Sequence, residues 1–192
     1  MNHLAHLYLS RTSEKLMVGN FIADAVKGKK FQEYETEISK GIVMHRAIDT
    51  FTDAHVLVSH SKSFFRARYG LYSPVIIDLV YDHFLAKNFG NYSNEPLNIF
   101  CDRCYKVFEK YFSVMPPRNQ HLFPYMQKEN WLLSYAQVEG IKKSLTAISR
   151  RIKNNPGIEN ATEELQLHYD ELENDFEKYF PLLIKQVEPF VK

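Results

Sequence analysis

The sequence has few of the residues that break helices. Among its 192 residues there are only 7 Gly and 8 Pro, and the alternation of apolar and polar residues that is typical of β-strands is scarce. Apolar side chains mostly recur at intervals of three and four residues, which is the period of an α-helix. Since 45% of the residues are hydrophobic and 14% aromatic, the chain can bury a core of its own. We therefore predict an all-α protein, with residues 1–192 forming a single-domain helical bundle.

The sequence also lacks an excess of charge of either sign. Lys and Arg total 24 against 23 for Asp and Glu, which gives a formal net charge of +1. This balance does not fit a protein that coats nucleic acid, so any basic recognition surface must be local. No segment reaches the roughly 18 consecutive apolar residues that a membrane span needs, and the first residues carry no positively charged leader. We therefore expect a cytoplasmic protein that binds neither nucleic acid nor membrane.

Cysteine is almost absent. Cys101 and Cys104 form a C-x-x-C pair, but a zinc ribbon needs a second pair, and a thioredoxin-like motif usually opens a helix beside a strand. Neither context is visible in the sequence. We interpret both residues as reduced structural thiols without a part in the chemistry.

Helix boundaries can be placed from the apolar spacing and from the few turn residues. The final helix is expected to bend or break at Pro181, because proline removes a backbone donor. The predicted helices cover residues 16–27, from 39 or 40 to about 55, 63–68, 75–88, 97–113, 121–136, 138–152, and from 162 onward.

The segment from Gly41 to His55 is the most informative part of the chain. In a helix, His45, Asp49 and Asp53 follow at four-residue steps along one face. Apolar residues, Ile42 among them, lie on the same side, so this face points toward the core. A carboxylate that faces a core stays ionised only beside a cation or several hydrogen-bond donors, because its desolvation costs several kcal/mol. The segment therefore predicts a metal ion or an arginine nearby.

Further polar residues lie on helices that are otherwise suited to a core. They are His6, Asn20, Asp24, Asp78, Asp82 and His83. Imidazoles and carboxylates without thiolates suit a hard or borderline divalent ion such as Mn²⁺, Mg²⁺ or Fe²⁺. Such an ion can hold a phosphoryl oxygen and make hydroxide available near neutral pH. Phosphoester hydrolysis is the reaction class that this set favours.

Each of these residues also has a purely structural interpretation. His45 and Asp49 could form a hydrogen-bonded or arginine-paired couple. Asp78 could complement the dipole of its helix, and Asn20 could cross-link helices through its amide. Asp53 and His55 could cap a helix end, and His3 could lie at the surface.

Four motifs resemble the acyl carrier protein phosphodiesterase family, in order over about the first 90 residues and more loosely as far as Arg150. They are Asn2-x-x-Leu-Ala-His6, Gly19-Asn-Phe-x-x-Asp24, Gly41-Ile-x-x-His45-Arg46-x-Ile-Asp49-x-Phe-Thr52-Asp53-x-His55, and Tyr81-Asp82-His83-Phe84-Leu85-Ala86. The resemblance implies hydrolysis of the phosphodiester that joins 4′-phosphopantetheine to a serine of holo acyl carrier protein. It also implies manganese dependence and a helical, HD-domain-like fold.

The resemblance carries functional residues over by position. The implied metal ligands are drawn from His6, Asp24, His45, Asp49, Asp82 and His83. The catalytic residues that we expect are Asp24, His45, Asp49 and His83, together with Arg46, whose planar guanidinium could neutralise a nonbridging phosphate oxygen. Two departures limit the transfer. The order Asp82-His83 reverses the usual HD dipeptide, so no ligand set can be copied from the wider superfamily. His3 stands where the family is expected to have an apolar residue, so we assign it no metal role.

Carrier proteins are acidic, so a partner of this kind calls for a basic surface. Two local groups could supply it: Lys27, Lys29 and Lys30, and Lys142, Lys143, Arg150 and Arg151. Two other functions stay open at this point. A phosphohydrolase acting on a nucleotide or another small phosphoester would share the metal site. A non-catalytic helical binding protein would instead pair its buried acids with Arg46, Arg66 or Arg68.

Overall fold

The computed structural model describes residues 1–192 and contains eleven α-helices and no β-strand. The prediction of an all-α protein is therefore confirmed. The HD-domain-like arrangement of the helices stays a prediction. The helices are α1 (His3–Leu9), α2 (Glu14–Ile22), α3 (Thr36–Ala54), α4 (Val56–Tyr69), α5 (Ser73–Lys87), α6 (Leu97–Lys110), α7 (Pro117–Lys128), α8 (Trp131–Ser134), α9 (Val138–Ser149), α10 (Thr162–Leu167) and α11 (Tyr169–Val191).

The N-terminal helices differ most from the sequence prediction. The short helix α1 was not predicted, because seven residues are too few to establish a period. α2 ends at Ile22, and two 3₁₀-helices, Ala23–Ala25 and Gly28–Glu33, connect it to α3. The predicted helix over 16–27 is therefore too long at its C-terminal end. α4 also begins earlier than predicted, since His55 caps it by accepting the backbone N–H of Leu57 at 3.3 Å.

Helix α5 lies at the centre of the bundle. Most of its residues from Ile76 to Ala86 are buried, and it contacts α1, α4, α9 and α11. α11 packs against α3, α4 and α5. It continues through Pro181 without interruption, so the expected break is wrong. The buried residues Phe176, Phe180 and Leu183 hold this face against the core and offset the hydrogen bond that proline cannot make.

Both cysteines lie in the core and are free thiols. Burial raises the pKa of Cys101 to about 12 and raises that of Cys104 as well. Both thiols therefore stay protonated at neutral pH, which agrees with a structural role. No helix in the structure is both long enough and apolar enough to cross a membrane.

Helices α2 and α3 approach each other through two glycines. A Cβ atom at Gly19 would overlap the backbone carbonyl of Ile38, and one at Gly41 would overlap the backbone carbonyl of Leu16. The Cβ position of Gly41 is also only 2.9 Å from the backbone nitrogen of Asn20. Because the obstructing atoms are backbone atoms, a larger residue would have to push the helices apart. The close contact therefore fixes the distance between Asn20 on α2 and His45 on α3.

Replacing Gly41 by Ala is expected to destabilise the protein by about 3 kcal/mol, since overpacking against backbone cannot relax by a side-chain rotation. Gly90→Ala is the matched control, because a Cβ atom at Gly90 meets nothing within 4 Å, and its effect should stay within about 0.5 kcal/mol. Urea unfolding of both variants measures the difference. Equal stability of the two variants would contradict the close packing described here.

Candidate metal centre

A polar cavity of ≈ 200 Å³ opens where α1, α3 and the start of α5 meet. Its walls come from the first residues of the chain, from the 3₁₀-helix after α2, and from one face of α3. The lining residues are Met1, Asn2, His3, His6, Asp24, His45, Asp49, Thr52, Asp53, Pro74 and Asp78. Four carboxylates and three imidazoles thus share one small space.

Three of these side chains form a cluster of possible metal ligands. They are His6, His45 and Asp49. Each offers one possible ligand atom, and these three atoms lie within 4.8 Å of one another. Nε2 of His6 is 3.2 Å from Oδ1 of Asp49, and Nε2 of His45 is 3.1 Å from Oδ2 of the same carboxylate. Asp24 extends the cluster toward solvent, with its Oδ1 3.4 Å from Nε2 of His45. We call these four residues the metal cluster.

The two imidazoles are held from behind by Asn20. Their rings stack with centroids 4.0 Å apart and planes 16° from parallel. Oδ1 of Asn20 lies 2.8 Å from Nδ1 of His6 and 3.1 Å from Nδ1 of His45. The asparagine is fully buried on α2, between α1, which carries His6, and α3, which carries His45. Both Nε2 atoms therefore point into the cavity.

The surroundings of the Nε2 atoms fit a divalent cation. Nε2 of His6 faces Oδ1 of Asp49 and the backbone oxygen of Met1, each at 3.2 Å. Nε2 of His45 faces oxygens of Asp49 and Asp24. All of these neighbours are hydrogen-bond acceptors, so a neutral imidazole that donates through Nδ1 offers them only the lone pair of Nε2, whereas a charged His45 donates to Asp24 and Asp49. A cation would turn the same arrangement of lone pairs into ligands. Two imidazoles with carboxylates and no thiolate suit Mn²⁺ or Fe²⁺.

The charges in the metal cluster also depend on one another. Burial opposes protonation of His45, but hydrogen bonds and charge attraction from Asp24 and Asp49 prevail and raise its pKa to about 9. Burial and repulsion by His45 lower the pKa of His6 to about 4. A hydrogen bond with His45 lowers the pKa of Asp24 to about 2. Burial opposes ionisation of Asp49, yet its hydrogen bonds with both histidines lower its pKa.

Asp82 and His83 do not join the metal cluster. The two oxygens of Asp82 accept the backbone N–H groups of Leu4 at 2.7 Å and Ala5 at 3.1 Å. The fully buried carboxylate thus caps α1 from a neighbouring helix. Burial raises the pKa of Asp82 to about 7, despite these two hydrogen bonds.

Both ring nitrogens of His83 also have hydrogen-bond partners outside the metal cluster. Its Nδ1 lies 2.8 Å from the backbone oxygen of Tyr135, and its Nε2 lies 2.7 Å from the hydroxyl of Tyr169. Neither Asp82 nor His83 lines the cavity. Of the six ligands expected from the sequence, the structure brings together His6, Asp24, His45 and Asp49 and leaves Asp82 and His83 out. The reason is that Asp82 faces the N-terminus of α1. The next residue, His83, faces Tyr135 and Tyr169.

Arg46 also points away from the cavity. It lies one position after His45 on α3, about 100° further round the helix. Its Nη2 donates to the backbone oxygen of Val26 at 2.9 Å, and its guanidinium lies 5.2 Å from the ring centroid of Phe31. Arg46 therefore anchors the segment that follows Asp24 and has no contact with the metal cluster.

None of the arginines considered from the sequence neutralises a cavity carboxylate. Arg46 bonds to a backbone oxygen. Arg68 pairs with Glu163 and Glu164, each at 2.8 Å, and Arg66 forms no ion pair within 4.0 Å. The pairing expected of a non-catalytic binding protein is therefore missing from this cavity.

Several lining residues were not assigned to the site from the sequence. His3 was set aside, yet it faces the cavity, and burial lowers its pKa to about 4. Asp53 pairs with Lys62 at 2.8 Å, and Asp78 accepts from the amino group of Met1 at 2.9 Å. Asp53 follows Asp49 by one turn of α3, on the face that the four-residue spacing predicted, but it was not named as a ligand. The side of α5 on which Asp78 lies cannot be inferred from the sequence.

Comparisons with known proteins support one family. A sequence model of the family described as acyl carrier protein phosphodiesterase matches residues 1–183. This range includes every residue that lines the cavity. No solved structure matches the chain.

Three relatives with that same name match almost end to end. The protein from Enterobacter sp. (strain 638) is 33% identical over 187 residues, which is 97% of either chain. The one from Klebsiella pneumoniae (strain 342) is 31% identical over 189 residues, or 98% of either chain. The Yersinia pestis protein is 32% identical over 189 residues, also 98% of either chain.

The raised pKa of His45 predicts a pH dependence of the metal-free protein. The pKa is about 9 in the folded state and about 6.5 in the unfolded chain, so the folded state binds one more proton between these values. The stability gained from His45 is then complete below pH 6.5 and is lost as the pH rises toward 9. Because Asp24 and Asp49 are partly exposed, we expect a loss of about 1–2 kcal/mol.

Urea unfolding in the presence of EDTA measures this loss between pH 6.5 and 9. The control is His45→Gln, which cannot titrate and should show a flatter profile over the same range. If the wild type and His45→Gln have the same slope, the charged contact of His45 with its carboxylates is ruled out.

The division of the expected ligands gives a second prediction. Asp49→Asn should weaken Mn²⁺ binding at least about tenfold, because it removes a carboxylate charge from the metal cluster. Asp82→Asn should leave Mn²⁺ affinity unchanged and lower the free energy of unfolding by about 1–3 kcal/mol, since one N–H of α1 loses its acceptor. Electron paramagnetic resonance of free Mn²⁺ and urea unfolding measure the two effects. The reverse pattern would place the ion at Asp82.

Proposed function

The chain belongs to the acyl carrier protein phosphodiesterase family, and from this premise we propose that it hydrolyses the phosphodiester between 4′-phosphopantetheine and the serine of holo acyl carrier protein. The products are apo acyl carrier protein and free 4′-phosphopantetheine. We further propose that the reaction requires a divalent metal ion, with Mn²⁺ as the first candidate. The observation that carries this proposal is the metal cluster of His6, Asp24, His45 and Asp49 inside a polar cavity.

The proposed ion would be held by Nε2 of His6, Nε2 of His45 and the carboxylate of Asp49, with Asp24 as the further oxygen donor. When bound, such an ion supplies positive charge to a phosphoryl oxygen and makes a water nucleophilic near neutral pH. Asp24 is the most exposed member, with 67% of its side chain accessible. Its carboxylate can therefore accept a hydrogen bond from water that enters the cavity and orient it.

The remaining cavity residues define where the substrate would lie. His3 is uncharged at neutral pH because of its lowered pKa of about 4, so it can exchange hydrogen bonds with a substrate hydroxyl or a water. His83, one of the catalytic residues expected from the sequence, is bonded at both ring nitrogens away from the cavity. Arg118 does not line the cavity, but it is exposed, forms no ion pair within 4.0 Å, and adds its charge to the burial that lowers the pKa of His3. We propose Arg118, in place of Arg46, as the guanidinium that meets the phosphate.

The basic groups differ in their relation to the cavity. Lys27, Lys29 and Lys30 are exposed, form no ion pair within 4.0 Å, and follow Asp24 within six residues. The segment that carries them is anchored to α3 by Arg46. Lys142, Lys143, Arg150 and Arg151 are also exposed and form no ion pair, but no residue of α9 lines the cavity. We therefore propose the first group as the main docking surface for the acidic carrier.

The decisive assay incubates the protein with holo acyl carrier protein and Mn²⁺ and follows the mass of the carrier. We expect loss of the phosphopantetheine mass with the wild type and with Asp102→Asn, an exposed substitution remote from the cavity. We expect no loss with Asp49→Asn or after chelation. Metal-dependent cleavage of small phosphodiesters with an intact holo carrier would instead favour a small-molecule phosphohydrolase. No metal binding and no cleavage would favour a binding protein.

Charge reversal separates docking from chemistry. Changing Lys27, Lys29 and Lys30 to Glu should raise KM for the carrier and change the salt dependence of the reaction. The same variant should cleave a small phosphodiester at the wild-type rate. Charge reversal of Lys142, Lys143 and Arg150 is the matched control, with a smaller expected effect on KM. Equal effects of the two variants would remove the preference for the first group.

A further inference from the structure

Asn20 is a polar residue of the sequence motifs that the proposed reaction does not use. It is fully buried, with no accessible surface. Its side chain nevertheless contacts α1 through His6 and α3 through His45. A buried amide with hydrogen-bond partners on two other helices holds those partners in a defined orientation.

The orientation of the Asn20 amide follows from one contact. Nδ2 donates to the backbone oxygen of His6 at 3.0 Å. A carbonyl oxygen can only accept, so the nitrogen must lie on that side and Oδ1 must face the two imidazoles. Rotating the amide by 180° would place two oxygens against each other. The hydrogen bonds therefore identify Oδ1 of Asn20 as the acceptor that faces Nδ1 of both histidines.

The two imidazoles differ in how far they depend on this acceptor. Nδ1 of His6 has Oδ1 of Asn20, at 2.8 Å, as its only hydrogen-bond partner. Nδ1 of His45 lies 3.1 Å from the same atom but also 2.9 Å from the backbone oxygen of Asn20. A substitution at position 20 removes the side-chain acceptor and keeps the backbone one. His6 consequently depends on the asparagine side chain, and His45 does not.

We propose that Asn20 is a positioning residue that holds His6 in the tautomer with hydrogen on Nδ1, which leaves the lone pair of Nε2 directed into the cavity as a ligand for a cation. Without this acceptor, the neutral imidazole of His6 would place its hydrogen on Nε2, where Asp49 and the backbone oxygen of Met1 can accept it. The lone pair would then be lost to the metal cluster. The inference deepens the proposed function and rests on it for its catalytic consequence.

The test reads the tautomers directly. Long-range proton–nitrogen NMR on protein labelled with ¹⁵N-histidine, kept metal-free with EDTA at pH 8, distinguishes hydrogen on Nδ1 from hydrogen on Nε2. The wild type should show hydrogen on Nδ1 of both His6 and His45. Asn20→Leu, which keeps the size and removes the acceptor, should move the hydrogen of His6 to Nε2. His45, which is charged at this pH and carries hydrogen on both ring nitrogens, should keep its hydrogen on Nδ1 and serves as the control within the same molecule.

A second variant is Asn20→Asp, which keeps the acceptor that faces Nδ1 of His6 but loses the donor to the backbone oxygen of His6 and should therefore be less stable than the wild type. It should retain hydrogen on Nδ1 of His6 and bind Mn²⁺ about as well as the wild type. Asn20→Leu should weaken Mn²⁺ binding about 10–100-fold, as measured by electron paramagnetic resonance of free Mn²⁺. If Asn20→Leu does not fold, the wild type and Asn20→Asp still decide the question by their His6 tautomers.

Two results would overturn the proposal: hydrogen on Nε2 of His6 in the wild type, or an unchanged tautomer and unchanged Mn²⁺ affinity in folded Asn20→Leu. These outcomes are separate from failure of the proposed function. If the tautomers and Mn²⁺ binding follow the expectation but holo acyl carrier protein is not cleaved, the phosphodiesterase proposal fails and the role of Asn20 stands.

Discussion

The structure depends on the close approach of α2 to α3 at Gly19 and Gly41. Only hydrogen atoms fit between the backbones at this crossing, and the contact brings the buried amide of Asn20 within 3.1 Å of Nδ1 of His45. The same amide reaches α1 at His6. A larger residue at either glycine would separate the helices and break the network that holds the two imidazoles. The close packing of α2 against α3 thus also determines the geometry of the metal cluster.

The cluster is stable as a set of charges only because its members compensate one another. Asp24 and Asp49 lie beside His45 and raise its pKa to about 9 against the effect of burial, and burial together with the charge on His45 lowers the pKa of His6. A divalent cation would replace the proton of His45 and satisfy the acceptors around both Nε2 atoms. Asp24 and Asp49 are partly exposed and already lie beside His45, and the proposed ion would add positive charge at the same place.

Local patterns in the sequence predicted much of this arrangement. The scarcity of glycine and proline predicted the all-α fold, and the motif resemblance to acyl carrier protein phosphodiesterases is confirmed by the family match. The four-residue step from His45 to Asp49 placed both on one face of α3, and the structure has them there. The sequence could not show what a buried stripe faces. Asp82 is as buried as expected, but its neighbour is the N-terminus of α1, a helix too short to be recognised from the period of its apolar residues.

The central claim is that His6, His45 and Asp49 hold one divalent ion, and anomalous diffraction tests it most directly. Crystals grown with Mn²⁺ and measured on both sides of the manganese absorption edge should show a strong peak bonded to Nε2 of His6, Nε2 of His45 and the carboxylate of Asp49. A manganese peak at Asp82 and His83, or a cavity that stays free of manganese while the imidazoles keep their places, would contradict the account.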